Sequence, residues 1–109
     1  MAIKANIVID QGTDFETIIN VTDENGDIVD LTGYTGAAQM RKHYTSSAQT
    51  AFGVTISNTY GTVTLTMNSA TTDTISSGRY VYDCELRSSA NIVSRLLEGV
   101  VTVTPQVTR

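Results

Sequence analysis

The stretch that decides the fold is Gly78–Arg87, with the sequence Gly-Arg-Tyr-Val-Tyr-Asp-Cys-Glu-Leu-Arg. Its residues alternate in character with a period of two, so an extended chain would carry an apolar row on one face. This pattern is typical of an antiparallel strand that packs one face on a core and turns the other towards water. The predicted core row is Tyr80, Tyr82, Cys84 and Leu86, and the opposite row is Arg79, Val81, Asp83, Glu85 and Arg87.

The segments on either side also have the character of strands. Asn25-Gly26, between two strand-like runs, predicts a hairpin turn because both residue types tolerate a positive φ. A short helical turn is expected near residues 69–75, capped by Asn68 or Ser69, with Ile75 closing the core. The last strand is long enough for a bulge, which we expect near Gly99. The predicted strands are residues 3–10, 15–22, 28–31, 34–44, 54–57, 62–67, 78–87 and 92–104, and Pro105 ends the last of them.

These elements predict an all-β fold, a single antiparallel β-sandwich or small barrel of about seven or eight strands over residues 1–109. No helical pattern of normal length is present, which excludes the parallel α/β folds. A chain of 109 residues has room for one core and can form it without a metal or a disulfide.

Charge and hydropathy narrow the choice of partners. The formal net charge is −4 and 17% of the residues are charged, so the overall field repels a phosphate backbone. The one basic cluster, Arg41-Lys42-His43, is too small to offset it and is expected at a solvated strand end. No apolar run has the length of a signal peptide or a membrane span, so neither nucleic acid nor a membrane is an expected partner.

A search for catalytic groups finds no convincing constellation. Cys84 lies on the predicted core face, beside two acidic residues that would raise the pKa of its thiol, so we expect a buried, unreactive cysteine. Asp83 and Glu85 share a strand face but are expected to face water rather than converge in a cleft. His43 has no second histidine at a metal-ligand spacing. We therefore expect no enzyme activity and no cofactor.

Two binding hypotheses stay open. An acidic cluster could offer oxygen ligands to Ca²⁺, although it lacks the closing glutamate of an EF-hand and is better explained as a turn. Three tyrosines in or near predicted turns could contact a sugar or a protein, or simply cover a sheet edge. The acidic cluster comprises Asp23, Glu24, Asn25, Asp27 and Asp30, and the tyrosines are Tyr34, Tyr44 and Tyr60.

Turn and strand motifs recur along nearly the whole chain, at residues 11–15 (Gln-Gly-Thr-Asp-Phe), 21–34, 70–75, 78–83, 98–105 and the final 107–109. These segments resemble small immunoglobulin-like virion proteins of tailed bacteriophages, including those of T4-like marine cyanophages. Gly78-x-Tyr80 also resembles the tyrosine corner of immunoglobulin domains, although Tyr82 stands where those domains have a cysteine and the chain has no tryptophan.

The resemblance implies an immunoglobulin-like sandwich and a structural protein of the tail, neck, baseplate or capsid surface. Such a protein would be made in the host cytoplasm, reside in the virion and act through contacts with other virion proteins and with copies of itself. Weakly charged sheet edges favour this function, and we expect residues 3–10 and 102–109 to reach neighbours by strand addition. The alternative is a β-sandwich module that binds carbohydrate or a host surface.

Overall fold

The computed structural model describes residues 3–22 and 25–108 and shows an all-β fold, as predicted. Its elements are the strands β1 (Ile3–Lys4), β2 (Ile7–Asp10), β3 (Phe15–Asn20), β4 (Thr35–Arg41), β5 (Thr50–Ser57) and β6 (Thr62–Met67), the helical turn α1 (Ser69–Thr72), and the strands β7 (Gly78–Arg87) and β8 (Val93–Thr104).

The strands form one curled sheet in the order β1-β8-β7-β4-β5-β6-β3, and β2 also pairs with β8. β1 and β2 run parallel to β8, whereas the other pairs are antiparallel. β5 changes partner along its length: its first residues pair with β4 up to Phe52, and its remainder pairs with β6 from Gly53 onwards. The sheet therefore bends within β5, between Phe52 and Gly53. The immunoglobulin-like sandwich arrangement stays a prediction.

The core lies between the two halves of this curled sheet. Phe52 at the bend joins them, since its ring centroid lies 6.0 Å from that of Phe15 in β3 and 6.1 Å from that of Tyr82 in β7. Such tilted aromatic contacts are favourable beyond the apolar area that they bury. The buried apolar side chains are those of Ile9, Leu31, Ala38, Met40, Phe52, Val63, Leu65, Met67, Ile75, Tyr82, Cys84, Leu86, Leu97, Val101 and Val103.

The predicted strand Gly78–Arg87 is confirmed, both in its bounds and in which side chains face the core. Tyr82, Cys84 and Leu86 are buried, and Tyr80 packs against the core from a partly exposed position. The Tyr80 hydroxyl donates a 2.6 Å hydrogen bond to the carbonyl of Ser76, four residues upstream. The tyrosine corner of immunoglobulin domains also has a bond from a tyrosine hydroxyl to an upstream main-chain group, and the likeness of Gly78-x-Tyr80 to it stays a prediction.

The helical turn is also confirmed. The Asn68 side chain caps α1 by accepting a bond from the Thr71 N–H, and Ile75 is buried below it. β5 and β6 are joined as a hairpin, and β5 begins at Thr50 rather than at the predicted residue 54. The predicted strand 28–31 is reduced to a single bridge between Thr22 and Ile28.

The prediction of one N-terminal strand over residues 3–10 was wrong, because the strand is interrupted at Ala5 and Asn6 and forms two short strands. The Ala5 N–H still donates to the Glu98 carbonyl, but the next bond to β8 comes from the Val100 N–H to the side-chain Oδ1 of Asn6. A side-chain oxygen thus replaces a main-chain acceptor, and the strand resumes at Ile7.

The bulge in β8 lies at Leu96 and not near Gly99. Cys84 pairs with Leu97 and Glu85 with Arg95, which leaves Leu96 as the extra residue. Gly99 serves a different purpose: a Cβ atom there would overlap the Ala5 carbonyl oxygen. The glycine therefore lets the broken N-terminal strand approach β8 closely.

Candidate functional site

A shallow groove of about 350 Å³ runs over the outer face of β4, β7 and β8. It contains Asp83 and Glu85, which the sequence places on the water-facing side of β7, and both are at least partly exposed. Ala37, at the floor, has too small a side chain to fill the space between the longer polar residues of the neighbouring strands. The other lining residues are Ala38, Gln39, Arg41, Tyr44, Val81, Tyr82, Arg95 and Glu98.

The charges in this groove are arranged around Arg95. Asp83 and Glu98 lie directly opposite each other on β7 and β8, a like-charge pair that is unfavourable by itself. Arg95 relieves this repulsion, since its Nε lies 3.5 Å from Asp83 Oδ2 and its Nη1 lies 4.0 Å from Glu98 Oε2. These side chains are a third to a half exposed, so each pair contributes at most about 1 kcal/mol. The groove therefore offers charged and polar side chains for contacts at the surface.

The residues of the basic cluster serve separate local purposes. Arg41 donates to the Ser46 carbonyl and to Gln39 Oε1, which holds the loop that follows β4. Lys42 Nζ lies 4.9 Å from the centre of the Tyr80 ring, within cation–π range. The His43 N–H donates to Ser46 Oγ in the same exposed loop.

Cys84 is fully buried in the core, as predicted. Burial, with smaller contributions from the charges of Asp83 and Glu85, raises the pKa of its thiol to about 11. The thiolate needed for nucleophilic attack is therefore scarce at neutral pH. The structure does not bring Cys84 together with His43, because His43 lies in an exposed loop.

The acidic cluster is only partly described, since Asp23 and Glu24 lie outside the described residues. Asp30 caps its own turn: its carboxylate accepts bonds from the hydroxyl and the N–H of Thr32, which lower its pKa. Gly26 has a φ of +84°, in keeping with the predicted turn. Within residues 3–22 and 25–108, no group of three or more His, Cys, Asp or Glu side chains is placed to hold a metal ion.

The three candidate tyrosines do not form a row. Tyr34 is half-buried against the core, whereas Tyr44 and Tyr60 are 83% and 71% exposed. Tyr44 follows β4 near the start of β5, and Tyr60 lies in the turn at the end of β5. Tyr44 lines the groove on β4, β7 and β8, and Tyr60 is not among the residues that line it.

The two edges of the sheet differ in regularity. β3, at one end of the strand order, pairs with β6 through six consecutive residues without a bulge. Among the described residues no strand covers its other side, and Glu16 is its one charged residue. The opposite edge is interrupted at Ala5 and Asn6 and carries Lys4 and Asp10. Breaks and charges protect an edge from pairing, so β3 is the open edge.

The expectation that residues 102–109 reach a neighbour was wrong for the strand portion. Thr102 is paired on one side with Val8 of β2 and on the other with Arg79 of β7, so it has no free strand edge. Residues 3–10 cover that side of β8 themselves. Gln106 is also held, because its N–H donates to Gln11 Oε1 at 2.9 Å, and Arg109 lies outside the described residues.

None of the helices in the described part of the chain is both long and apolar enough to span a membrane.

Comparisons with known proteins identify no family for this chain. No protein-family model matches the chain, and no curated protein matches it. Among solved structures, a Listeria monocytogenes internalin-like protein superposes with a TM-score of 0.49 at 15% sequence identity. That alignment covers 94% of this chain and 28% of the other, so the chain spans little more than a quarter of the length of that protein.

Proposed function

We propose that this chain is a structural component of a phage virion that acts through protein–protein contacts and not as an enzyme. In this proposal it is made in the host cytoplasm and is incorporated into the tail, neck, baseplate or capsid surface. Its partners are other virion proteins and further copies of itself, and it needs no cofactor.

The observation that carries the protein-contact part of this proposal is the open edge of β3. A regular edge strand presents main-chain N–H and C=O groups to which another strand can add. Ile18 adds an apolar contact for such a strand, since its side chain is 59% exposed at the middle of β3. Free monomeric proteins usually block such an edge with charge, proline or a bulge, and β3 has a single charge.

The virion part of the proposal is supported by a resemblance to small phage structural proteins, carried by residues 11–15, 21–34, 70–75, 78–83, 98–105 and 107–109. Those segments correspond to turns and strands that build the scaffold, such as α1 and β7. The buried thiol of Cys84, with its raised pKa, and a groove in which Asp83 and Glu98 both pair with Arg95 are in keeping with a protein that acts by binding.

The experiment that tests this proposal is immunogold electron microscopy of purified phage particles, with antibodies raised against the chain. We expect regular labelling at one location on the particle, and density that fits the chain at that location in a reconstruction. Purified particles that carry neither label nor peptides of this chain would contradict a virion location.

A second candidate function is binding of carbohydrate in the groove on β4, β7 and β8. Amide, carboxylate and guanidinium groups of Gln39, Asp83 and Arg95 lie there beside the exposed ring of Tyr44, and such groups bind sugar hydroxyls and sugar faces. A glycan array tests this function: hits that are lost on Tyr44→Ala would support it, and an array without hits would reject it.

A further inference from the structure

We infer that the open edge of β3 pairs with β3 of a second copy, antiparallel, about a two-fold axis that passes through Ile18. This inference rests on the proposed protein-contact function and names the partner and the register. It follows from three properties of β3: the direction of its main-chain groups, the order of its side chains and the partial exposure of its core-facing residues.

The hydrogen-bonding phase of β3 is fixed by its pairing with β6. The Val21 N–H, next to the end of β3, donates to the Gly61 carbonyl on the β6 side. The N–H and C=O groups of successive residues in a strand point alternately to its two sides. The main-chain groups of Phe15, Thr17 and Ile19 therefore also point towards β6. The main-chain groups of Glu16, Ile18 and Asn20 therefore point out of the sheet edge.

A two-fold axis at Ile18 brings these three outward-pointing residues into hydrogen-bonded pairs. Ile18 would lie opposite Ile18 of the other copy, and Glu16 opposite Asn20. Each of the three would donate with its N–H and accept with its C=O, the pattern of a regular antiparallel ladder. A shift of the register by one residue would instead place outward groups opposite inward ones, so this phase favours the pairing at Ile18.

The side chains are complementary in the same register. The single charge of β3, on Glu16, meets the Asn20 amide, which can donate to it, and not a second carboxylate. The two exposed Ile18 side chains meet as an apolar cross-strand pair. β3 is thus self-complementary, as an isologous two-fold interface requires.

The core-facing row of β3 gains cover from the same pairing. Phe15 and Ile19 pack against the core but are only partly buried, and no strand within residues 3–22 and 25–108 flanks them on the open side. In the paired edge Ile19 would lie beside Thr17 of the second copy, and Phe15 beside Val21. The contact is a strip of six residues, about 20 Å long, so we expect a small interface and a dimer with a dissociation constant in the micromolar range.

Sedimentation equilibrium of the intact chain, from low micromolar to millimolar concentration, tests the pairing. We expect a monomer–dimer equilibrium that Ile18→Lys shifts to monomer and that Val8→Lys leaves unchanged. Val8 is the matched control, since it is 61% exposed on the opposite edge strand β2. Circular dichroism and thermal unfolding confirm that both variants fold.

Cysteine cross-linking tests the register, because Cα atoms in a hydrogen-bonded pair lie about 5.5 Å apart, within disulfide range. Under mild oxidation Ile18→Cys should form a covalent dimer rapidly. Val8→Cys, with a similar exposure, and Thr64→Cys, on the neighbouring strand β6, should not. Buried Cys84 should stay reduced throughout.

A wild-type chain that stays monomeric at millimolar concentration would overturn the inference. So would a dimer that Val8→Lys disrupts and Ile18→Lys does not, or cross-linking that is equal at all three positions. These outcomes are separate from the virion proposal, which depends on finding the chain in purified particles. A monomer found in particles would overturn self-pairing alone.

Discussion

The Tyr82 hydroxyl donates a 2.7 Å hydrogen bond to the main-chain carbonyl of Ala5. This bond joins the middle of the central strand β7 to the break between β1 and β2. Gly99 lies directly across from Tyr82 on β8 and leaves room for both the ring and the carbonyl. The N-terminal strands are therefore fixed to the core by a tyrosine on one strand and a glycine on the next.

Tyr82→Phe should weaken the attachment of the N-terminal strands. The change leaves a part-buried carbonyl at Ala5 without this donor, and we expect a loss of about 1–2 kcal/mol in the free energy of unfolding. Urea denaturation measures the loss. Tyr80→Phe is the control, since its bond to Ser76 is exposed and water can replace it. Equal losses in the two variants would contradict a special contribution of the bond from Tyr82 to Ala5.

Tyr82→Ala should cost more, about 3–5 kcal/mol, because it also leaves a cavity beside Phe52 in the core. The same urea titration applies. A loss below about 1 kcal/mol would show that the apolar face of β7 does not pack as described.

Gly99→Ala should displace the N-terminal strands, because the new Cβ atom would overlap the main-chain oxygen of Ala5. We expect a loss of about 1–3 kcal/mol, with faster amide exchange in β1 and β2 than in β6. Gly53→Ala is the comparison, since its new Cβ would first meet the side chain of Thr66, which can rotate. Unchanged exchange in β1 and β2 would show that Gly99 is not needed for their approach.

Thr72→Val should loosen the junction between α1 and the turn that follows β2. The Thr72 side chain is fully buried, where it accepts from the Gly12 N–H at 3.0 Å and donates to the Thr13 carbonyl at 2.8 Å. Two main-chain groups would lose their partner, at a cost of about 1–3 kcal/mol by thermal unfolding. Thr74→Val, at an exposed position, should have a much smaller effect. Similar melting temperatures would contradict this role.

Stability should fall at alkaline pH because the pKa values of Cys84 and Tyr82 are raised in the folded state. For Cys84 the pKa rises from 9.0 to about 11, and for Tyr82 from 10.0 to about 12, with burial as the main cause of both shifts. The unfolded chain loses these protons at a lower pH than the folded chain does. The free energy of unfolding therefore keeps its full value below pH 9 and declines as the pH rises through 11. The Cys84 part is on the order of 2–3 kcal/mol.

Denaturant titrations between pH 8 and pH 11 would measure this decline in the free energy of unfolding. Cys84→Ala removes one of the two groups, and its decline between pH 9 and pH 11 should be shallower than that of the wild type. A decline of the same steepness in both proteins would mean that the thiol is not the group responsible.

Sequence patterns predicted the individual strands better than their pairing. The alternation in Gly78–Arg87 and Thr62–Met67 is strong, and both strands have the predicted bounds. β5 begins earlier than expected because Thr50 and Ala51 give no apolar alternation, although Phe52 beside them is buried. Propensity is a local property, and here the pairing of Thr50 with Met40 of β4 determines where the strand starts.

The partner of the N-terminal segment could not be deduced from local sequence. A parallel pairing of Val8 with Thr102 joins residues far apart in the chain, and no turn signal marks it. The exposed charged face with Asp83 and Glu85 was predicted correctly. The open edge of β3 was missed, since the sequence shows which residues alternate but not which strand lies at the end of the sheet.

Residue-resolved amide exchange, followed by NMR at increasing protein concentration, tests directly whether the chain acts through the open edge of β3. We expect exchange at Glu16, Ile18 and Asn20 to slow as concentration rises, while Thr17 and Ile19, already bonded to β6, change little. Fast, concentration-independent exchange at Glu16, Ile18 and Asn20 would contradict it.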